Sequence, residues 1–262
     1  MEEISTEILI FLIISGFAAA FIDSVVGGGG LISIPALMFT GLPPSVALGT
    51  NKLAATMGSL TSTISFLRSG KLNKKLIVRL LPLSVVGSGI GVYVVQLIPS
   101  EFLNPLILII LILVTAYTIL KKDWGVKSNF KKMSLKMIIF IILAAFILGF
   151  YDGFLGAGVG SFLIFSFLLL GFDFVEAAGN ARALNFASNI SALLAFIAFD
   201  SVNIYYGIPM GLAMIAGALV GARVAIKTGV AYVKVLFIGI TVLLIGKSIW
   251  DYMGPGGQAP WS

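Results

Sequence analysis

Residues 49–59 read GTNKLAATMGS, and residues 179–189 read GNARALNFASN. Each stretch places one basic residue, Lys52 or Arg182, among small and apolar neighbours. The two basic residues lie 130 positions apart (182 − 52). A lone cation in an apolar segment, repeated at a fixed distance along the chain, indicates an internally duplicated membrane protein with a functional site.

The amino-acid composition points in the same direction. Of the 262 residues, 59% are hydrophobic and only 11% are charged, whereas a soluble domain has about 25% charged residues. Several apolar runs reach the roughly 20 residues that a helix needs to cross a bilayer. The absence of cysteine and histidine excludes disulfides, thiolate chemistry and histidine-based catalysis. We therefore predict an all-α polytopic protein of the cell (inner) membrane, with no role in nucleic-acid binding.

The hydropathy of the chain divides it into ten apolar segments separated by polar or glycine-rich stretches. The second and seventh segments are short and follow the glycine clusters at 27–30 and 156–160. The segments cover residues 7–25, 29–41, 45–67, 76–98, 103–120, 136–152, 155–171, 174–199, 204–226 and 232–250. We predict four parts: a first transmembrane repeat (1–120), a cytoplasmic linker (121–135), a second transmembrane repeat (136–252) and a flexible C-terminal tail (253–262).

Several further residues match between the two halves. At the offset of 130, Gly87 and Gly91 fall on Gly217 and Gly221; at an offset of 129, Asp23 falls on Asp152. A single one-residue gap between the two blocks reconciles the two offsets. Two acids and two bases at matched positions within apolar segments support a duplication more strongly than glycines do, because glycines are common in this chain.

The distribution of basic residues predicts how the two halves are oriented. Basic residues crowd the turn at 68–79 and the linker at 121–136, whereas the second-half counterpart of that turn, 199–207, has none. Because cytoplasmic loops collect Lys and Arg, this swap predicts two inverted repeats with about 8–10 membrane segments. Either five crossings per half, or three crossings and a re-entrant hairpin at each glycine cluster, agree with the pattern.

The glycine clusters are the first candidate functional feature. Consecutive glycines weaken a helix, and a broken helix inside a membrane exposes backbone N–H groups that attract anions. We therefore include Gly28, Gly29 and Gly158 among the candidate substrate-binding residues. The alternative is that these clusters serve tight packing or a hinge. For the paired GxxxG patterns at 87–91 and 217–221, we predict close helix packing.

The matched charges are the second candidate feature. We predict that Lys52 and Arg182 face an anionic substrate between the two repeats. Neutral donors on the same segments would assist them, namely Thr50, Asn51, Asn180, Asn185, Ser188 and Asn189. The alternative is that each cation forms a structural ion pair with Asp23 or Asp152. Without histidine, a proton-linked cycle would have to use one of these two aspartates, so both are candidates for ion coupling or for ion pairing.

Two pairs of motifs resemble a known family. GFAAAFIDSVVGGGGLISIPAL followed by GLPPSVALGTNKLAATMGS, and GFYDGFLGAGVGSFLIF followed by AAGNARALNFASN, are similar to the two repeats of the sulfite exporter TauE/SafE family, also called toluene sulfonate uptake permeases. The resemblance extends from about residue 8 to residue 250. It implies transport of sulfur-containing anions such as sulfite or organosulfonates, and of some small carboxylates. Members differ in substrate and direction.

Together, these features predict a secondary transporter or permease for a small anion, with sulfite, an organosulfonate or another sulfur oxyanion implied by the resemblance. An anion channel of the same architecture is one alternative, and an intramembrane aspartyl protease using Asp23 and Asp152 is another. We expect no enzymatic activity, no cofactor and no metal. The expected partners are the anion and the lipid bilayer, and the substrate, coupling ion and a homodimeric state stay open.

Overall fold

The computed structural model describes residues 5–120 and 134–228, without the side chains of residues 115–120 and 228. These residues form α-helices and no β-strand. The helices are α1 (Thr6–Val26), α2 (Gly30–Met38), α3 (Pro44–Arg68), α4 (Lys74–Gln96), α5 (Ser100–Leu120), α6 (Leu135–Phe154), α7 (Val159–Leu169), α8 (Phe174–Ala198) and α9 (Ile204–Thr228). The prediction of an all-α protein is confirmed. The tenth apolar segment, most of the linker and the C-terminal tail lie outside the described residues.

The helix boundaries follow local sequence signals. Ser5, Asn73, Ser134 and Asp173 cap α1, α4, α6 and α8, and each side chain accepts a hydrogen bond from a backbone N–H three residues later. Such caps satisfy N–H groups that have no partner in the first helical turn. The nine helices match nine of the ten predicted segments to within a few residues, because apolar length alone marks most of them.

Helices α2 and α7 follow the glycine clusters and are too short to cross a bilayer. With 9 and 11 residues, they are about 14 and 17 Å long, against about 30 Å of hydrocarbon. Gly29 lies against Asp23, and the rings of Phe39 and Phe11 are 6.4 Å apart. The chain after α1 therefore turns back, and α2 runs antiparallel to it. This hairpin matches the re-entrant alternative rather than a fifth crossing.

The equivalent helices α3 and α8 pack against each other in opposite directions at the centre of the molecule. Gly49, near the start of α3, lies against the carbonyl of Ser201 beyond the end of α8. Gly179, near the start of α8, lies against the carbonyl of Lys71 beyond the end of α3. This reciprocal, antiparallel contact is the arrangement expected of inverted repeats, whose orientation across the membrane stays a prediction.

The outer helices of each half also pack against outer helices of the other half. Helix α1 packs most extensively on α9, and α6 packs most extensively on α4. Glycines of the GxxxG patterns lie at both contacts, against carbonyl oxygens of the facing helix: Gly87 on Phe146, Gly91 on Phe150, Gly217 on Phe17 and Gly221 on Phe21. The prediction of close helix packing at these glycines is confirmed, because a Cβ atom at any of them would collide with backbone.

The outward-facing surface of the bundle is apolar. Helices α1, α4, α6, α8 and α9 are each long and apolar enough to cross a membrane, and only 33% of the apolar window of α6 is buried within the protein. Ile, Leu, Val and Phe side chains face outward on these helices, where lipid replaces water. The chain is a multi-pass membrane protein, as predicted.

Candidate functional site

The buried charges lie where the two halves meet. Among the residues that the structure describes, Lys52, Asp152 and Arg182 are the only charged residues that are fully buried, each at most 1% exposed as a whole residue. Lys52 and Arg182 stand four residues before the midpoints of α3 and α8, or about 6 Å along each helix axis. Both cations are therefore close to the middle of the bundle.

Lys52 is held by residues of the second half. Its Nζ donates to Asp152 Oδ1 at 2.6 Å and to Asn189 Oδ1 at 3.1 Å. The other carboxylate oxygen of Asp152 accepts from Asn185 Nδ2 at 3.1 Å and from Ser188 Oγ. Three side chains of α8 thus surround one carboxylate–ammonium pair, whose members come from α3 and α6. The polar partners offset much of the cost of removing both charges from water.

Arg182 forms the equivalent pair with the first half. Its Nη1 donates to Asp23 Oδ2. The other oxygen of Asp23 accepts from the backbone N–H groups of Gly28 at 3.0 Å and Gly29 at 3.1 Å. Each cation therefore pairs with the acid of the opposite half, which is the ion-pair arrangement that the sequence left open. These pairs do not exclude substrate binding, because an anion can compete with either carboxylate.

The glycines of the second cluster make room for the charged groups. A Cβ atom on Gly156 would lie 2.6 Å from Lys52 Nζ, and one on Gly160 would collide with the Arg182 guanidinium. Gly156 also has a φ of +82°, which side chains other than glycine rarely adopt. The two glycine clusters touch each other, since Ser161 Oγ donates to the carbonyl of Gly27 at 2.7 Å.

A small cavity opens beside the Lys52 pair. Its volume is about 30 Å³, more than the roughly 10–15 Å³ that one water requires. The candidate residues that line it are Asp23, Gly29, Asn51, Lys52, Asp152, Asn185 and Asn189. Its lining combines residues of both halves. A polar cavity with room for water inside the bundle is where a membrane protein can hold a polar ligand.

The remaining candidate residues do not line this cavity. Thr50 Oγ1 and Asn180 Oδ1 instead accept the backbone N–H groups of Asn203 and Asn73, each at 2.8 Å. These matched bonds anchor the loops before α9 and α4. Gly158 has a φ of +75° at the start of α7 and lies beside Val114. Their place in a binding set stays a prediction.

Two more of the predicted neutral donors belong to the same site, since Asn189 binds Lys52 and Ser188 donates to Asp152. Ser33 and Gly156, which lie outside the predicted set, also line the cavity. No sequence signal identified Ser33, since it follows a glycine break whose path the sequence does not define. No cluster suited to a metal ion occurs in the described part of the chain.

Two buried groups in this region lack hydrogen-bond partners. Within the described part of the chain, Asn51 Oδ1, at the cavity, accepts no hydrogen bond, and Arg182 Nε and Nη2 donate none. Buried polar atoms are rarely left unpaired in a native protein. The arrangement therefore has spare hydrogen-bonding capacity for both a donor and an acceptor close to the ion pairs.

Comparison with known proteins identifies the group of proteins to which this architecture is related. The profile of the family described as "Sulfite exporter TauE/SafE" matches residues 12–248. A "Probable membrane transporter protein ORF9" of Sinorhizobium sp is 34% identical over 256 residues, which is 97% of each chain. No solved structure matches the chain significantly.

Two further relatives cover nearly the whole chain. A "Probable membrane transporter protein" of Haemophilus influenzae is 33% identical over 250 residues, or 95% of this chain and 97% of that protein. The "Probable membrane transporter protein YfcA" of Escherichia coli (strain K12) is 34% identical over 244 residues, or 90% and 87%. The family match over residues 12–248 spans the positions of both glycine clusters and both buried cations.

Proposed function

The chain belongs to the sulfite exporter TauE/SafE family of membrane transporters, and we propose that its substrate is a small anion bound between the two halves. Sulfite, an organosulfonate or another sulfur oxyanion is the proposed class. The description of the family as sulfite exporters supports a sulfur-containing substrate. The names of the relatives support transport and specify no substrate.

The observation that carries the proposal is a buried lysine at the wall of a polar cavity. Lys52 is 1% exposed and lines the cavity together with Asn51, Asn185 and Asn189. Moving an anion into a bilayer without compensation is prohibitive. A cation with neutral donors beside it can replace the lost hydration shell, as hydrogen bonds to charged groups are among the stronger ones.

The aspartates supply the counter-charge while no substrate is bound. A lone buried cation would be costly, and removing one partner of a buried pair typically destabilises a protein by about 3–5 kcal/mol. Asp152 keeps Lys52 paired in the empty state. An anion that competes with this carboxylate binds more weakly than it would to a free lysine, and a transporter must release its substrate.

The protease alternative does not agree with the site. Two acids that share a proton must lie next to each other, whereas Asp23 and Asp152 are each held by a different cation. The relatives are named transporters and not enzymes. An anion channel would use the same binding residues, and it differs only in lacking the alternating states of a carrier.

A ligand screen on purified protein tests the proposed substrate class. Sulfite, sulfate, thiosulfate, short sulfonates and short carboxylates are compared by calorimetry on the wild type and on Lys52→Met. We expect at least one sulfur oxyanion to bind the wild type, and to bind the variant more weakly. Binding of none of these anions to a folded wild-type protein would overturn the proposal.

A further inference from the structure

The carboxylate of Asp23 lies in a seat that is built for an anion. The seat consists of the N–H groups of Gly28 and Gly29, at 3.0 and 3.1 Å, and the guanidinium of Arg182. The two glycines come from the first half and Arg182 comes from the second. Backbone N–H groups at a helix start, together with a guanidinium, are a donor set that suits an oxyanion.

The seat has more donors than Asp23 uses. Arg182 is 0% exposed, and its Nε and Nη2 have no hydrogen-bond partner among the described residues. Nη2 lies against Gly160, and a Cβ at Gly160 would be 2.9 Å from Gly27 Cα. The unpaired edge of the guanidinium therefore faces the meeting point of the two glycine clusters. A buried arginine with two unpaired donor nitrogens can form hydrogen bonds with a ligand that has more oxygens than one carboxylate.

Asp23 is also the member of the two ion pairs that has freedom to move. Its side chain is 24% exposed, whereas those of Lys52, Asp152 and Arg182 are at most 2% exposed. Asp23 lines the cavity beside Lys52. Its carboxylate can therefore leave the seat by turning into space that already exists, while the donors of the seat stay in place.

We propose that the seat of Gly28, Gly29 and Arg182 is an oxyanion-binding site, and that Asp23 is a tethered occupant that the incoming anion displaces. The ligand class is a small oxyanion with at least two oxygens on one centre: a carboxylate, sulfite or the head of a sulfonate. The inference rests on the proposed function for its natural ligand. Because one anion replaces another, Arg182 stays paired throughout, and the tethered carboxylate returns to expel the ligand.

The size of the side chain gives a direct test. Asp23→Ala removes Cγ, Oδ1 and Oδ2, the same three heavy atoms that make up formate. Asp23→Asn is the matched control, since it keeps the seat filled with a neutral group of the same shape. Formate binding at pH 7 is measured on the purified full-length wild type and both variants. We expect formate to bind Asp23→Ala at least about tenfold more tightly than Asp23→Asn or wild type. The reason is that only the alanine variant leaves the seat empty, so that formate can form charge-assisted hydrogen bonds there.

Comparisons with other anions define the ligand class. Sulfite and methanesulfonate should gain affinity for Asp23→Ala as formate does, and chloride should gain less because it offers no pair of oxygens. Equal formate affinity in Asp23→Ala and Asp23→Asn would overturn the proposal. Equal gains for chloride and formate would overturn the oxyanion class.

Folding of the variant is made part of the test. If Asp23→Ala cannot be purified alone, it is extracted with formate in every buffer, and recovery of folded protein at the level of Asp23→Asn supports the seat. Failure to recover it with formate, when Asp23→Asn folds, would overturn the proposal. Formate binding by Asp23→Ala with no anion transport by the wild type would leave the seat intact and defeat the proposed function, so the two failures are distinguishable.

Discussion

At the scale of single residues, the direction of each side chain around its helix decides which residues share a site. Successive residues of an α-helix are rotated by about 100°, so residues two positions apart point to nearly opposite sides. Lys52 reaches the cavity, and Thr50 reaches the loop before α9. In the same way, Arg182 forms an ion pair with Asp23, whereas Asn180 binds the loop before α4.

The sequence could therefore predict the buried cations and not all of their neighbours. The repeat alignment identified Lys52, Arg182, Asp23 and Asp152 as a set. It left the pairing open, because whether a lysine meets the acid of its own half or of the other depends on how helices far apart in sequence pack. In the structure, both cations pair across the halves.

The Lys52 side chain provides the residue-scale prediction. Lys52→Met keeps much of the side-chain volume and removes the charge, while Lys52→Arg keeps the charge. We expect Lys52→Met and Lys52→Ala to weaken binding of the best anion by about 1.5–3 kcal/mol, the range for hydrogen bonds to charged groups. Lys52→Arg should retain more affinity. Calorimetry on folded variants measures this, and unchanged binding by Lys52→Met would make Lys52 a structural ion-pair partner only.

At the scale of helices, length and apolar content were sufficient to predict nine segments, whereas the path after each glycine cluster was not predictable. A glycine break permits a crossing or a return, and only tertiary contacts choose between them. Phe39 beside Phe11 shows the return of α2 along α1. The GxxxG patterns were more informative, because a small-residue stripe has one physical use, a close helix contact.

Two glycines of α4 give a matched test of that contact. A Cβ at Gly87 would collide with the carbonyl of Phe146 on α6, whereas one at Gly89 would meet only Ser191 Oγ at 3.7 Å. Gly87→Ala should lower the free energy of unfolding by about 1–3 kcal/mol through overpacking. Gly89→Ala should leave it unchanged or raise it by up to about 1 kcal/mol through helix propensity.

The comparison is made by unfolding both variants in the same detergent. Gly217→Ala should behave as Gly87→Ala does, since it faces the carbonyl of Phe17 in the equivalent contact of the other half. Equal stability of Gly87→Ala and Gly89→Ala would show that α4 and α6 are not in close backbone contact.

At the scale of the whole molecule, the outer helices and buried cations of each half make their main contacts with the other half. Helices α1 and α9, α6 and α4, and the two ion pairs all join one half to the other. Neither half encloses its own cation, so the site depends on both. The charge bias of the loops predicts that the halves are inverted across the membrane, and this orientation has its own test.

Single introduced cysteines can report the orientation of the two halves across the membrane, because the chain contains no cysteine of its own. Lys75 and Tyr205 are repeat equivalents (75 + 130), both exposed near the starts of α4 and α9. Inverted repeats place Lys75→Cys on the cytoplasmic side and Tyr205→Cys outside. A membrane-impermeant thiol reagent on intact cells should therefore label only Tyr205→Cys. Labelling of Lys75→Cys before the cells are opened would contradict this topology.

Counterflow in proteoliposomes tests the central claim most directly, that this membrane protein carries a small anion through a site containing Lys52. Vesicles with purified protein are loaded with unlabelled anion, sulfite first and then the best ligand of the screen, and are diluted into a trace of the labelled anion. We predict that label accumulates transiently above its equilibrium level with the wild type and does so far less with Lys52→Met. Entry only to equilibrium would indicate a channel, and no entry of any anion that binds would contradict the account.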